Sequence, residues 1–193
     1  MLFRSSRRWP AERFADVART LASDVGALVL VTGGAGERSL VERVCTQADH
    51  PNVMSMAGRL SIGEMGALLA ASHLLVSNNS GPVHMAAALG TPVVDLYALT
   101  NPQHTPWMVP HRVLFQDVPC RYCYKSTCPQ GHHRCLRDVS VRQVLEASMG
   151  LLGGQPDVGG AMPWATHAGQ VALPPRASPG TIAKEDVHVH ARH

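Results

Sequence analysis

Ser80-Gly81-Pro82-Val83-His84 stand just after the apolar run Leu74-Leu75-Val76 and a polar turn that begins at Ser77. This order of residue types suits the holding of an anion. Ser80 is a good N-cap, and Pro82 falls in the first turn of the helix that follows, where its missing N–H costs nothing. The N–H groups of Gly81, Val83 and His84 then point out of the helix start, where a negative group can accept from them. His84 lies in the same turn, within reach of whatever those amides hold. Its plainer reading is a helix-start histidine bonded to a neighbouring loop. A second set of residues is sulfur: Cys120, Cys123, Cys128 and Cys135 form C-x2-C-x4-C-x6-C, with His132 and His133 close by and Cys45 apart on a helix. Four thiolates so near in sequence can surround one tetrahedral zinc. Only one C-x2-C pair is present where strong zinc ribbons carry two, so free thiols and an iron–sulfur cluster stay open beside a structural zinc.

The elements that position these residues can be read in order. Trp9-Pro10-Ala11-Glu12 opens a helix with Phe14, Val17, Ala18, Leu21 and Ala22 at helical spacing. Gly26 releases the chain into Ala27–Thr32, a continuous apolar run typical of a strand covered on both faces. Gly33-Gly34-Ala35-Gly36 then turns into a helix carrying Leu40, Val41 and Val44. This is not a GxGxxG fingerprint, and the next strand offers no ribose acid, so no nicotinamide site is expected. Asn52–Ala57 is a weak strand, and Ser61 to Glu64 is a capping box before a helix with Met65, Leu68 and Leu69 on its buried face. His73–Ser77 returns to the sheet. Gly90-Thr91-Pro92 ends the next helix before the strand Val93–Tyr97. Alternating strands and helices with short links predict an α/β fold with a doubly wound parallel sheet, and such sheets bind ligands at the carboxyl ends of their strands.

Residues 98–139 read as a long irregular connection punctuated by prolines, with the cysteine loop at 119–136. Ser140 to Gln143 then caps a helix over Val141–Leu152, with Val144, Leu145 and Met149 on one face. The expected organisation is one domain over 1–152 and a disordered Gly-, Pro- and His-containing tail over 153–193. With 193 residues and a hydrophobic fraction of 45%, the chain can bury a real core. Its 17 Lys and Arg against 14 Asp and Glu give too small a surplus to argue for nucleic acid. No apolar run reaches the about eighteen residues of a spanning helix. The basic start Met1-Leu2-Phe3-Arg4 has no apolar stretch behind it, so no secretory signal is expected. The expected location is cytoplasmic, with cysteines reduced.

Residues 80–97, Ser-Gly-Pro-Val-His-Met-Ala-Ala-Ala-Leu-Gly-Thr-Pro-Val-Val-Asp-Leu-Tyr, resemble the signature turn and helix of glycosyltransferase family 9, the bacterial heptosyltransferases. Arg7-Arg8-Trp9-Pro10 is similar to that family's Lys-x-Trp-Pro at the start of the donor domain. Gly33-Gly34 with Glu37, the helix from Ser61 and the Cys-rich segment fall in the family's order. The resemblance implies a Rossmann-like domain, the carboxyl-terminal half of the two-domain GT-B arrangement. In that arrangement the carboxyl domain holds a nucleotide sugar, usually ADP-heptose. The amino domain holds the lipopolysaccharide acceptor and the carboxylate base of an inverting transfer. The chain is accordingly expected to be the donor-binding half alone, without a catalytic base, its first strand reduced to Met1-Leu2-Phe3.

By position, the resemblance puts Arg7 on the donor phosphates, where the family has a lysine. It puts Ser80, Gly81, Val83 and His84 around the pyrophosphate and Glu37 near the adenosine ribose. Asn79 joins the donor site with an amide where many members carry an acid. Bland readings stand beside these: Arg7 and Arg8 as a solvated basic patch, Glu37 as a favourable charge in a helix's first turn. No cofactor is required, because a helix start and an arginine can stabilise the charge that grows on the leaving phosphates. The implied activity is transfer of a heptose or related sugar from an ADP donor to a lipopolysaccharide or other cell-envelope acceptor at the inner face of the inner membrane. The alternative is a non-catalytic fragment or pseudoenzyme that binds nucleotide or a partner.

Overall fold

Residues 8–98, 101, 103–125 and 127–153 are described by a computed structural model of the chain. Arg7, the shortened first strand and the tail beyond Gly153 lie outside these residues. The first helix, α1 (Ala11–Asp24), follows Pro10, whose extended backbone forms the N-cap. Its Val17, Ala18, Leu21 and Ala22 are buried, as their spacing requires. Gly26, at φ +68°, reverses the chain into β1 (Val29–Val31). A short 3-10 turn (Ala35–Glu37) leads to α2 (Arg38–Ala48), β2 (Val53–Ser55) and α3 (Ile62–Ala71). The heart of the fold follows: β3 (Leu75–Asn78), α4 (Gly81–Leu89), β4 (Val93–Leu96) and β5 (His111–Leu114). A single turn, α5 (Arg134–Arg137), precedes α6 (Val141–Leu152).

All strand pairs are parallel, in two ladders: β1 with β2, and β3–β4–β5 with β4 in the centre. Helices cover both faces, giving the Rossmann-like α/β fold. The two ladders meet through side chains, since Val29 of β1 and Leu74 and Val76 at β3 pack into the core shared by α1 and α6. Strand β4 shows the period-two alternation clearly. Val94 and Leu96 enter that core, while Val93 packs on the other face with Leu69, Val83 and Ala86 of α3 and α4. Asp95 shares the Val93 face and is fully buried.

Three local expectations change. The β1 strand is half-buried instead of covered on both faces. The segment 98–139 contains a strand, β5, which begins directly after Pro110; a proline before an outer strand interrupts no ladder hydrogen bond. On α6 the buried face is Val144, Ala147, Ser148 and Leu151, while Met149 is exposed. The Ser148 hydroxyl donates to the Val144 carbonyl at 2.7 Å, which lets a polar residue occupy the inner face.

Trp9 anchors the start of the described chain. It is 2% exposed, its indole N–H donates to the Val139 carbonyl at 2.9 Å, and its ring meets Phe14 edge-on with centroids 5.0 Å apart. Trp9→Phe keeps a ring but loses that hydrogen bond, and the urea midpoint is expected to drop by an equivalent of about 1–2 kcal/mol. Trp9→Ala, which also opens a cavity, is expected to cost about 3–5 kcal/mol in the same assay.

Asp95 gives a second expectation. Burial pushes its carboxyl up to about 7 from 3.8, against the lowering effect of a hydrogen bond from Asn79. The folded chain thus keeps a proton that the unfolded chain has released. The resulting stability is complete below about pH 4 and is lost as pH rises through about 7. Between pH 5 and pH 8, wild type is expected to lose about 2–3 kcal/mol relative to Asp95→Asn, read from paired urea titrations.

Candidate functional site

The carboxyl ends of β1, β3 and β4 carry most of the residues singled out above. Ser80 occupies the N-cap of α4 with extended backbone, yet its side chain accepts no capping hydrogen bond. The reason is local. An N-cap oxygen ordinarily takes an N–H from the second or third helical residue. Here the second is Pro82, which has none, and the Val83 N–H returns to the Ser80 carbonyl at 3.0 Å. The Ser80 hydroxyl is thereby left without its usual task. The same bond corrects the expected role of Val83: its amide is committed within the turn and its side chain is in the core. Gly81 and His84 are exposed, and the space where a Cβ of Gly81 would stand is open.

Glu37 is held from two sides. Its Oε1 accepts from the Arg8 guanidinium at 2.9 Å, and its Oε2 accepts from the Gly34 N–H at 3.1 Å. The second bond caps the turn, so the bland reading of Glu37 describes a real contact. The turn itself is closely packed: a Cβ on Gly33 would stand 2.9 Å from Val41 Cγ2, so any side chain there would have to push Val41 aside. Sequence reasoning did not foresee the Arg8–Glu37 pair, which joins residues 29 positions apart.

A hydrogen bond from the Trp9 N–H to Asn78 Oδ1, 2.9 Å long, connects this group to the end of β3. Arg8, Glu37, Asn78 and the α4 start thus belong to one edge of the sheet. Asn79, next in the chain, is bound inward. Its Nδ2 donates to Asp95 Oδ2 at 2.8 Å and also to the His104 carbonyl. Asp95 Oδ1 is buried with no hydrogen-bond partner. The segment after β4 folds on itself nearby: the Asn101 N–H donates to the Tyr97 hydroxyl at 2.6 Å, and the Gln103 N–H to Asn101 Oδ1 at 3.0 Å.

Cys120, Cys123 and Cys128 lie in the loop between β5 and α5, and Cys135 lies on α5 itself. Cys120 Sγ is 3.6 Å from His132 Nε2, and Cys135 Sγ donates to the Ala98 carbonyl at 3.3 Å. Burial pushes the Cys135 thiol up to about 11, with further raising by the charges of Cys128, Cys120 and Cys123. Burial also raises Cys128, but the surrounding backbone N–H groups of His133, Gln130, Gly131 and His132 outweigh it and hold that thiol below the ordinary range. Among the described residues, no three His, Cys, Asp or Glu are gathered closely enough to hold a metal ion. Cys45 stands apart on α2, its thiol raised by burial and by Glu42.

Known proteins place this arrangement. The family described as glycosyltransferase family 9 (heptosyltransferase) matches residues 3–133. Lipooligosaccharide heptosyltransferase 2 of Campylobacter jejuni is 29% identical over 154 residues, covering 78% of this chain and 48% of that protein. Lipopolysaccharide heptosyltransferase 2 of Escherichia coli K12 is 29% identical over 154 residues, 78% of this chain and 44% of that protein. The chain therefore spans about half the length of these curated relatives, in their carboxyl-terminal part. Among solved structures, a glycosyl transferase family 9 protein from Veillonella parvula superposes with a TM-score of 0.70 at 30% identity, covering 78% of this chain and 43% of its own. The E. coli ADP-heptose lps heptosyltransferase II superposes with a TM-score of 0.66 at 28% identity, covering 79% and 44%. No helix among the described residues is long and apolar enough to cross a membrane. With its match over residues 3–133 and its Rossmann-like fold, the chain belongs to glycosyltransferase family 9.

Proposed function

We propose that this chain binds the nucleotide-sugar donor of a heptosyltransferase, with the diphosphate at the Ser80–His84 helix start. The observation that carries this reading is the helix start itself. At the carboxyl end of β3 it offers a hydroxyl without a capping task, an exposed histidine, and open space over Gly81. The donor would be an ADP-heptose or related ADP-sugar, and the acceptor a lipopolysaccharide-type sugar held by a second domain at the cytoplasmic face of the membrane.

The chemistry follows from the leaving group. Breaking the bond from sugar to phosphate builds negative charge on the departing ADP. Fixed amides and a helix start lower the energy of that charge without having to reorganise. Arg7 is proposed as the cation on the phosphates, because a guanidinium fork matches their geometry. Arg8 is a poorer choice, since it already pairs with Glu37. Glu37 keeps lone pairs beyond the two bonds it makes, so a ribose hydroxyl can still donate to it. The carboxylate base of an inverting transfer would come from the domain that holds the acceptor. The competing reading, nucleotide binding without turnover, uses the same residues and differs only in the reaction.

For the cysteine loop we infer a structural zinc, apart from the reaction, held by Cys120, Cys123, Cys128 and Cys135 with His132 as an available substitute. Its support is the 3.6 Å separation of Cys120 Sγ and His132 Nε2, which matches two ligands sharing one tetrahedral ion, and the nearness in sequence of Cys123, Cys128 and Cys135, which an ion would have to draw in around it.

Two experiments test these readings. The first is calorimetric titration with ADP of wild type and Gly81→Ala. The methyl that this substitution adds meets no protein atom, so the variant should melt as wild type does and lose at least about tenfold in affinity, or about 1.4 kcal/mol. Undetectable ADP binding by wild type sinks the donor site; equal binding by the variant moves it away from Gly81. Turnover is then read by adding donor, acceptor and an acceptor-binding domain from a family member. The second is metal analysis of protein purified without a histidine tag. About one equivalent of zinc is expected for a four-ligand structural site, and a trace amount removes the staple.

A further inference from the structure

Asp95 is an expensive residue in its position. It sits in the middle of the fully buried strand β4, between Val94 and Leu96, with no exposure at all. One carboxyl oxygen has no partner, and an unsatisfied buried polar atom calls for an explanation. Burial alone disfavours the charged form, and the carboxyl is pushed up to about 7. An apolar side chain here would avoid both penalties. What Asp95 adds is a fixed acceptor for Asn79, whose Nδ2 lies 2.8 Å from Oδ2.

Asn79 is the residue just before the α4 N-cap, and it acts in two directions. Its backbone N–H donates to the Leu96 carbonyl at 3.1 Å, extending the β3–β4 ladder by one bond. Its side-chain Nδ2 holds Asp95 below and the carbonyl of His104 beside it. The His104 segment is tied to itself in turn, by the bonds of Asn101 with Gln103, His104 and the Tyr97 hydroxyl. A primary amide held at both hydrogens cannot rotate. With the amide fixed, the chain enters Ser80 at one angle, and His104 is held beside residue 79.

We propose that Asp95 is a positioning residue for the anion site: through the Asn79 amide it fixes the Ser80–His84 helix start and His104 relative to each other. This rests on the donor-site reading above and adds to it a residue that touches no ligand. The ligand class is unchanged, a nucleoside diphosphate at the helix start. The new content is that affinity there depends on a hydrogen bond made inside the sheet.

The test removes the acceptor and then restores it. Asp95→Leu leaves the Asn79 amide with no acceptor inside the sheet; Asp95→Asn keeps a carbonyl oxygen that can accept from it. Both variants leave Asn79 itself and its bond to the His104 carbonyl untouched. Two readouts are taken well below the melting temperature of every variant, so that each is fully folded. In ligand-free protein, hydrogen exchange across residues 79–84 and at Asn101, Gln103 and His104 is expected to accelerate in Asp95→Leu and to stay near the wild-type rate in Asp95→Asn. In calorimetry with ADP, Asp95→Leu should bind at least about tenfold more weakly and Asp95→Asn within about threefold of wild type. A purely structural Asp95 would move melting temperatures and leave both readouts at wild-type values, which would overturn the proposal. So would Asp95→Asn no better than Asp95→Leu. If wild type binds no ADP, the donor reading falls, and the exchange data still decide whether Asp95 positions the helix start and His104.

Discussion

The placement of Trp9 is the constraint on which the rest of the edge depends. Its ring fills the core between α1, α6 and β4, its indole reaches the carbonyl of Val139, and its backbone N–H reaches Asn78 at the end of β3. Residues 8–10 are therefore held at the carboxyl ends of the strands. Arg8, immediately before Trp9, is brought to Glu37 for that reason and no other. A surface ion pair of this kind, with both partners about one-third exposed, adds little to stability by itself. Its value is positional, since it ties the β1–α2 turn to the segment in front of α1.

Helix starts bind anions because their N–H groups lack partners, so what matters is which of those groups the protein has already used. Around Gly34 the amide is taken by Glu37, and a phosphate would have to displace a carboxylate. At α4 no carboxylate occupies the turn, the Val83 amide is turned inward, and Pro82 removes the other common partner of the Ser80 side chain. The two turns look alike as glycine-bearing links from strand to helix. Their chemistry differs because one has its counter-charge built in and the other does not. This is the physical ground for proposing Ser80–His84, rather than Gly33–Gly36, as the site of a diphosphate.

What could be read directly from the sequence was local. The capping boxes at Ser61 with Glu64 and at Ser140 with Gln143 form as their spacing demands, because both partners lie within one turn. The α/β alternation was equally legible, since each element carries its own period. What escaped involved partners far along the chain. Asn79 and Asp95 are 16 residues apart, and nothing in either neighbourhood says that a strand acid will face a turn amide. Strand β5 was hidden by Pro106 and Pro110, which mark loops in most contexts but are harmless ahead of an outer strand. Met149 was assigned to the inner face by hydropathy, whereas Ser148, satisfied by the carbonyl of Val144, takes the inward position one residue earlier.

The buried Asp95 also bears on how the resemblance to the family should be used. The resemblance implies an acid at the position of Asn79 in many members, so an amide there looks like a lost charge. The geometry shows an acid close behind it, in contact with that amide, but inside the sheet and screened from solvent. A carboxyl in that place does not attract a ligand as a surface carboxylate does. Burial favours its neutral form, which carries no net charge toward the helix start. Electrostatics at the helix start is therefore more positive than an acid at 79 would make it, which favours a diphosphate over a neutral sugar as the group held there. An amide at 79, with its acid partner buried behind it, is thus compatible with the anionic ligand proposed at the helix start.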